Sequence, residues 1–359
     1  MNLRQTQASL TEKILEKILS DASLAPSAEN NQPWQIKILS DFSLEISIDP
    51  SRVNSSFDID NRMTLISLGA FMENLSISAK HHGFEIESSL QDSNAGCFKI
   101  RLLPCTCNDK EGDPFYPYLS QRWTNRFPYE IRRKISNAMA AALKATSEDG
   151  LVLESSMISE PHRIFRAAGI LQRFDLIRFS QPAENLHLLK MIRTRFEEAQ
   201  SRDGMVFKSL GLSKIDQAVL WTLRQFKLTQ LMSTPPITHL LSLRTQKTVP
   251  HSSGLLLLTT PHGAYHPILW GQIIERVWLK ATSFGLAVQP LFAPSHYSHM
   301  ALKHPERLSE ASQKEVLRAK DALLTLFDQP RNAQPVLLFR LGFSDRKKIP
   351  SLRRSFDKP

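Results

Sequence analysis

The feature that most constrains how this chain can fold is a repeated segment. Residues 66–83 (ISLGAFMENLSISAKHHG) align without gaps with residues 268–285 (ILWGQIIERVWLKATSFG), and five of the 18 paired positions are identical. Repetition within a chain indicates duplicated architecture. Two buried helices can also resemble each other by chance, but two of the identities are glycines at matched positions, which favours a duplication.

Each copy of the segment predicts a buried helix. Apolar residues recur at helical spacing and cover most of the circumference, which is typical of a helix buried on nearly all sides. Gly69 and Gly271 cost helix propensity, so we expect them to pack closely against another backbone. Gly83 and Gly285 fit C-terminal caps. Strand-like runs accompany the helices, at 84–90 and 97–103 for the first copy and at 254–260 and 285–290 for the second.

A polar loop comes before the first copy of the repeated helix. Residues 25–34 read APSAENNQPW and join a helix-like run to a strand-like run. The two prolines end the helix and hold the segment extended. Ser27, Asn30 and Gln32 can hydrogen-bond a planar heteroaromatic ligand, and Trp34 can close one side by stacking. A plain helix-to-strand connection is the alternative interpretation of such a composition.

Arginines occur in two further stretches that suit an anion. Residues 122–128 read RWTNRFP, ahead of a helix predicted over about residues 130–145. Two guanidinium groups and a hydroxyl within five residues can converge on one phosphate. The chain nears its end with Arg353 and Arg354. A solvated basic segment is the alternative for each stretch.

Together these stretches resemble the nitroreductase family. The loop at 25–34 is similar to the flavin-contacting loop of that family, and RWTNR is similar to its Arg-x-Ser-x-Arg signature, with Thr124 in the Ser position. GLAVQPL at 285–291 resembles its Gly-Leu-x-x-x-Pro-Leu stretch, where backbone passes the flavin edge. The duplication resembles the tandem, Acg-like branch of the family.

The resemblance implies an α+β fold in which two nitroreductase-like copies form an internal pseudo-dimer. Each copy would carry mostly antiparallel sheets flanked by helices. The first half would span residues 1–110, and the second would span 111–359 with a helical insertion at about 180–250. His296, Tyr297 and His299 follow the flavin-edge stretch and line the substrate mouth in one interpretation or the surface in the other.

The resemblance also implies one FMN site per chain. The first copy lacks the arginine signature, and the second has TSEDG at 146–150 where a second polar loop is expected. The implied cofactor contacts are Pro26, Ser27, Ala28, Asn30 and Gln32 from the loop, Arg122, Trp123, Thr124 and Arg126 from the signature, Pro290, Leu291 and Phe292 beside flavin N5, and Arg353 and Arg354 at the phosphate.

In this family NAD(P)H gives a hydride to FMN N5, and an electron-poor acceptor such as a nitroaromatic or a quinone takes the electrons. The flavin does the chemistry, so no catalytic side chain is expected. One alternative is a protein that stores flavin or senses redox state with little turnover. Another is an interaction protein that no longer holds FMN.

Composition narrows the class of protein further. The chain has 359 residues, 42% hydrophobic and 22% charged, and a formal charge of +10, which suits phosphate-bearing ligands. Its basic residues are dispersed and form no nucleic-acid motif. Three cysteines make no disulfide framework and predict no metal site. Without an apolar signal core or a membrane-length run, we expect a cytoplasmic, monomeric pseudo-dimer, with further oligomerisation left open.

Overall fold

The structure is a computed structural model that describes residues 3–40, 42–53, 57–92, 96–105, 112–147, 153–194, 197, 200–226, 228–261 and 266–354. Residues 148–150, which belong to the predicted degenerate loop of the second copy, lie outside this description. The chain divides into two compact units. Unit 1 comprises Met1–Arg122, His266–Leu279 and Leu352–Pro359, and unit 2 comprises Trp123–Tyr265 and Lys280–Ser351.

Unit 1 is built on a four-stranded antiparallel sheet with the strand order β1-β2-β4-β3. Alternate residues of the inner strands, such as Leu44, Ile46, Phe98 and Ile100, are buried against the first two helices. The opposite face is solvated, as period-two alternation predicts. The elements of this part of the chain are α1 (Leu3–Ala22), β1 (Trp34–Ser40), β2 (Ser43–Ile48), α2 (Arg62–His81), β3 (Phe84–Asp92), β4 (Cys97–Pro104) and α3 (Tyr116–Leu119).

The two repeated segments form α2 and a later helix, Pro267–Ser283, and within unit 1 they cross at their glycines. A Cβ atom on Gly69 would lie 2.0 Å from the carbonyl oxygen of Ile268, and a Cβ atom on Gly271 would lie 2.0 Å from that of Ile66. Residues 66 and 268 are themselves paired by the repeat, so the contact is reciprocal. The prediction that both glycines pack against backbone is confirmed.

The same crossing pairs polar residues reciprocally. Glu73 and Glu275 occupy matched positions, and each interacts with the residue that follows the other glutamate. The Nε atom of Arg276 lies 2.6 Å from Glu73 Oε1. The Asn74 amide, oriented to satisfy its neighbours, donates to Glu275 Oε1 at 3.0 Å. Both carboxylates are buried.

Unit 2 is built on a second four-stranded antiparallel sheet, with the strand order β5-β8-β10-β9. Its elements are α4 (Asn137–Ser147), β5 (Glu154–Ile158), α5 (Pro161–Phe179), α6 (Pro182–Met191), β6 (Ile192–Arg193), β7 (Met205–Val206), α7 (Lys214–Gln225), α8 (Thr229–Met232), α9 (Pro235–Thr248), β8 (Gly254–Thr260), α10 (Pro267–Ser283, which begins in unit 1), β9 (Ala287–Leu291), α11 (Ala293–Lys303), α12 (Glu310–Leu326) and β10 (Gln334–Gly342).

The centre of this sheet is buried on both faces. Every residue of β8 is buried, and eight of the nine residues of β10 are. Helices α5, α11 and α12 pack in the same unit. The α+β class with antiparallel sheets flanked by helices is therefore confirmed. Among the helices of the described residues, none is long and apolar enough to cross a membrane.

Two sequence expectations need comment. The helix after the arginine signature begins at Asn137 instead of near residue 130, because Ser136 Oγ accepts from the backbone N–H of Met139 and caps it there. The boundary proposed near residue 110 refers to the duplicated halves and stays a prediction. The compact units are a different division, since part of α10 belongs to unit 1.

Candidate functional site

The polar loop at residues 25–34 has an unusual backbone. Glu29, Asn30 and Gln32 have φ angles of 50°, 59° and 51°, in the left-handed region that residues other than glycine rarely adopt. Ser27 Oγ accepts from the N–H of Gln32 at 3.0 Å, and the Ser27 carbonyl accepts from that of Asn30 at 3.0 Å. Such strain persists only where the surroundings enforce it, and it concentrates at functional sites.

The C-terminal segment of unit 1 holds the loop from its polar side. Asn30 Nδ2 donates to the carbonyl oxygen of Leu352 at 3.0 Å. Gln32 Oε1 accepts from the N–H of Arg354 at 3.0 Å. The two amide side chains that were predicted to contact a ligand therefore also fix the chain segment 352–354.

The structure separates the roles of the two C-terminal arginines. Arg353 donates to the carbonyls of Leu24 (2.8 Å) and Ala25 (3.3 Å), at the beginning of the loop. Arg354 donates to the carbonyls of Gln32 (2.8 Å) and Trp34 (3.2 Å), at its end. The two guanidinium groups thus bracket the strained part of the loop.

Arg122 bonds the backbone just before the same loop. Its guanidinium donates to the carbonyl of Leu24, its Nε lies 2.9 Å from Glu275 Oε1, and its Cζ lies 4.7 Å from the Trp278 ring centroid. Asn74 links this cluster to the loop because its amide oxygen accepts from the N–H of Ala25 at 3.0 Å. The Arg122 side chain is only 4% exposed. Its assignment to a phosphate stays a prediction, and its visible contacts position the loop.

One buried carboxylate interacts with two of the arginines at the loop. Glu275 forms an ion pair with Arg122, and its charge also favours the protonated form of Arg353. Burial raises the pKa of Glu275 to about 7, against the opposing effect of Arg122. Burial lowers the pKa of Arg353 to about 9, which still leaves it protonated at neutral pH.

Unit 2 carries the rest of the arginine signature. Thr124 forms a parallel bridge with Val288, and the N–H of Asn125 donates to the carbonyl of Val288 at 2.8 Å. Arg126 donates to the carbonyl of Ser209 at 3.4 Å and to the sulfur of Met205 at 3.7 Å. Trp123, Thr124 and Arg126 are all partly exposed. This segment therefore lies beside β9, the strand that holds the predicted flavin-edge residues.

The flavin-edge residues end a strand and begin a helix. Pro290 and Leu291 close β9, where they pair with Phe339 and Leu338 of β10. Phe292 precedes α11 as its N-cap residue. All three predicted residues are half-buried. They remain predictions as cofactor contacts.

Two ligand-facing interpretations were wrong. Trp34 is 4% exposed, and its ring packs 4.9 Å from that of Phe71 in the core of unit 1, so it does not wall a ligand. His296 and Tyr297 are buried in unit 2, where Tyr297 donates to Glu184. Neither of these two residues lines a mouth or the surface.

Sequence reasoning missed three residues that support the predicted site. Asn74 and Glu275 hold the loop in unit 1, and Arg340 bonds the signature segment in unit 2. A signal existed for Glu275, because it is a charged residue that is identical in both copies of a segment predicted to form a buried helix. Arg340 stands in an apolar strand in the same way.

Comparison with known proteins gives one sequence match. The chain is 35% identical over 126 residues to the probable NAD(P)H nitroreductase PigM of Serratia sp. (strain ATCC 39006), a match that covers 33% of this chain and 35% of that protein. The chain therefore spans about a third of that relative's length. No family model matches.

Similar solved structures include two nitroreductases. The FMN-dependent nitroreductase NfnB from Mycobacterium smegmatis, in complex with NADPH, has a TM-score of 0.34 and 11% identity over 64% of this chain and 86% of that one. A nitroreductase with bound FMN from Bacteroides fragilis NCTC 9343 has a TM-score of 0.36 and 12% identity, over 69% of this chain and 98% of that one. Scores this low carry no argument about this chain.

The fold defines an α+β protein with two antiparallel sheets. The sequence match to PigM confirms the resemblance to the nitroreductase family that the motifs indicate.

Proposed function

We propose that the chain is an FMN-dependent oxidoreductase of the nitroreductase type, with NAD(P)H as hydride donor and an electron-poor small molecule, such as a nitroaromatic or a quinone, as acceptor. The observation that carries the proposal is the loop at 25–34. Its family-like motif adopts a strained backbone, and Arg353 and Arg354 bond backbone carbonyls at its two ends. The match to a probable NAD(P)H nitroreductase supports the same conclusion.

The residues present fit FMN by their chemistry. The loop offers polar groups to a planar ring, and guanidinium groups suit a phosphate. When bound, FMN would supply the hydride chemistry at N5. The protein would hold the ring with Ser27, Ala28, Asn30 and Gln32, and Arg353 and Arg354 would keep that loop in shape while adding positive potential. Thr124 and Arg126 of the arginine signature offer a hydroxyl and a guanidinium group of the kind that binds a phosphate.

A duplicated origin is part of the proposal. The reciprocal crossing of α2 and α10 at Gly69 and Gly271 supports it, because a two-fold relation brings the same surface of each copy together. The loop motif occurs in the first copy and the arginine signature in the second. We therefore expect one FMN per chain.

The test is a spectrum followed by reduction. Protein reconstituted with FMN and desalted should keep about one flavin per chain, and NADPH added without oxygen should bleach the flavin band. Turnover with nitrofurazone or menadione separates an enzyme from a storage protein. Retained flavin without bleaching would refute the oxidoreductase, and protein that stays colourless after FMN addition would refute flavin binding altogether.

A matched pair of variants tests the phosphate assignment. Arg126→Ala should weaken FMN binding about 10-fold or more, as the loss of one charge-assisted hydrogen bond implies. Arg163→Ala is the control, because Arg163 lies in the same unit and bonds the carbonyl of Leu326 and Asp328 instead. Equal FMN affinity in the two variants would count against Arg126.

A further inference from the structure

Arg340 is a buried cation in the middle of a sheet. It lies on β10 between β8 and β9, opposite Leu255 and Gln289, and it is 0% exposed. Among the described residues no carboxylate forms an ion pair with it. A buried charge without such a partner is expensive, and an apolar residue would fill this place at lower cost. Its presence calls for a reason other than packing.

The donors of Arg340 are directed at backbone on both sides of Arg126. One terminal nitrogen donates to the carbonyl of Phe127 at 2.6 Å and to that of Asn125 at 3.4 Å. The other donates to the carbonyl of Thr248 at 2.9 Å. The carbonyl of Asn125 belongs to the peptide group that carries the N–H of Arg126. The guanidinium therefore fixes the peptide group before Arg126 and the peptide group after Phe127.

Tyr129 completes this support. The Cζ of Arg340 lies 4.0 Å from the Tyr129 ring centroid, and the Tyr129 hydroxyl donates to the carbonyl of Asn125 at 2.7 Å. Burial raises the pKa of Tyr129, so its hydroxyl keeps the proton that it donates. On the other side, Asn125 is tied to Val288 of β9.

We infer that Arg340 is a positioning residue, which fixes the backbone of residues 125–127 and so directs the Arg126 side chain toward the phosphate of the cofactor. The inference rests on the proposed function for its ligand. Its physical basis is that a planar fork holds its donors in fixed directions, whereas the three donors of an ammonium group of the same charge rotate about a flexible stem. A displacement of about 1 Å of a positioned group can cost an enzyme about 100-fold in reaction rate.

Two variants separate position from charge. Arg340→Lys keeps the positive charge but loses the fork, and Tyr129→Phe keeps the ring under the guanidinium but loses the bond to Asn125. We expect the FMN dissociation constant, measured by flavin fluorescence, to rise about 10-fold in Arg340→Lys and about 3-fold in Tyr129→Phe. Arg163→Lys, which alters a carbonyl-bonding arginine elsewhere in unit 2, should leave it unchanged.

Hydrogen exchange supplies a readout that does not depend on FMN. The amides of residues 125–127 should exchange faster in Arg340→Lys than in the wild type and in Arg163→Lys. Unchanged exchange there, or an unchanged FMN dissociation constant in folded Arg340→Lys and Tyr129→Phe, would overturn the inference. A wild type that binds no FMN would refute the proposed function instead, and the exchange data would still decide whether Arg340 positions the segment. If Arg340→Lys does not fold, Tyr129→Phe carries both measurements.

Discussion

The crossing of the two repeated helices gives the sharpest test of the structure. Gly69→Ala places a methyl carbon 2.0 Å from the carbonyl oxygen of Ile268, 2.8 Å from its carbonyl carbon and 3.0 Å from the Cα of Gly271. Ordinary contact begins at 3.4 Å, so the shortfall against the oxygen is 3.4 − 2.0 = 1.4 Å. All three neighbours are backbone atoms. The helices must separate or bend, because no side chain can turn away.

The expected magnitude follows from two opposing effects. Overpacking a well-packed contact costs about 1–3 kcal/mol, and a clash with backbone belongs at the upper end of that range. Replacing a helical glycine by alanine returns about 1 kcal/mol of helix propensity. The net loss in the free energy of unfolding should be about 2 kcal/mol. For a domain of this size class the melting temperature should fall by about 4 °C or more.

The chain offers a matched control. Gly169 lies inside helix α5, and a Cβ atom built on it meets no atom within 4 Å. Gly169→Ala should therefore gain about 0.4–1 kcal/mol. Scanning calorimetry on the wild type and the two variants measures both effects. A melting temperature for Gly69→Ala that rises as it does for Gly169→Ala would refute the close crossing.

Reciprocity gives a second measurement from the same contact. Gly271→Ala should cost about as much as Gly69→Ala, since its Cβ atom would lie 2.0 Å from the Ile66 carbonyl oxygen. Once one alanine has moved the helices apart, the second clash is partly relieved. The double variant should lose less stability than the sum of the single losses. Simple additivity would show that the two glycines do not share one contact.

Three further predictions concern side chains of unit 1. Burial raises the pKa of both Glu73 and Glu275 to about 7, from 4.5. The folded state therefore holds these protons more tightly than the unfolded state, and stability should fall as pH rises from about 4.5 to about 7, by at most about 3 kcal/mol per group. Across that range the melting temperature of Glu275→Gln should change less with pH than that of the wild type. An equal change with pH in the two proteins would contradict the raised pKa of Glu275. Trp34→Ala should lower the free energy of unfolding, measured in urea, by about 3–5 kcal/mol, because the ring packs against Phe71 in the core. A loss under about 1 kcal/mol would contradict the burial of Trp34. Arg354→Met removes the bonds to both carbonyls at the end of the loop and should weaken FMN binding more than it lowers the melting temperature, whereas equal FMN affinity would make its role purely structural.

The elements of the fold were largely predictable, since their causes are local. The strand at 254–260 was predicted at its observed bounds, because an apolar run of that length bounded by turn residues leaves few alternatives. The repeat predicted that Gly69 and Gly271 pack closely against backbone, but not that the two helices cross each other at these glycines. The helix after the signature was extended too far toward the N-terminus, because its periodicity continues past the Ser136 cap.

The candidate site was predictable only in part, because its contacts join distant parts of the chain. The resemblance located the loop, but the bond from Asn30 to Leu352 spans 322 positions. Trp34 illustrates the limit. A tryptophan beside a polar loop suits a ligand and a core equally well, and only the position of Phe71 decides between them.

The asymmetry between the two copies can be traced to one pair of matched positions. Residue 74 follows Glu73 and residue 276 follows Glu275, and each reaches the glutamate of the opposite helix. An amide at position 74 can also accept from the N–H of Ala25, so it connects the crossing to the polar loop. An arginine at position 276 has donors only, so it can neutralise Glu73 but cannot accept from a second backbone segment. The crossing therefore supports a loop through Asn74 but cannot support an equivalent loop through Arg276. This is the arrangement expected if the duplicated chain keeps one site.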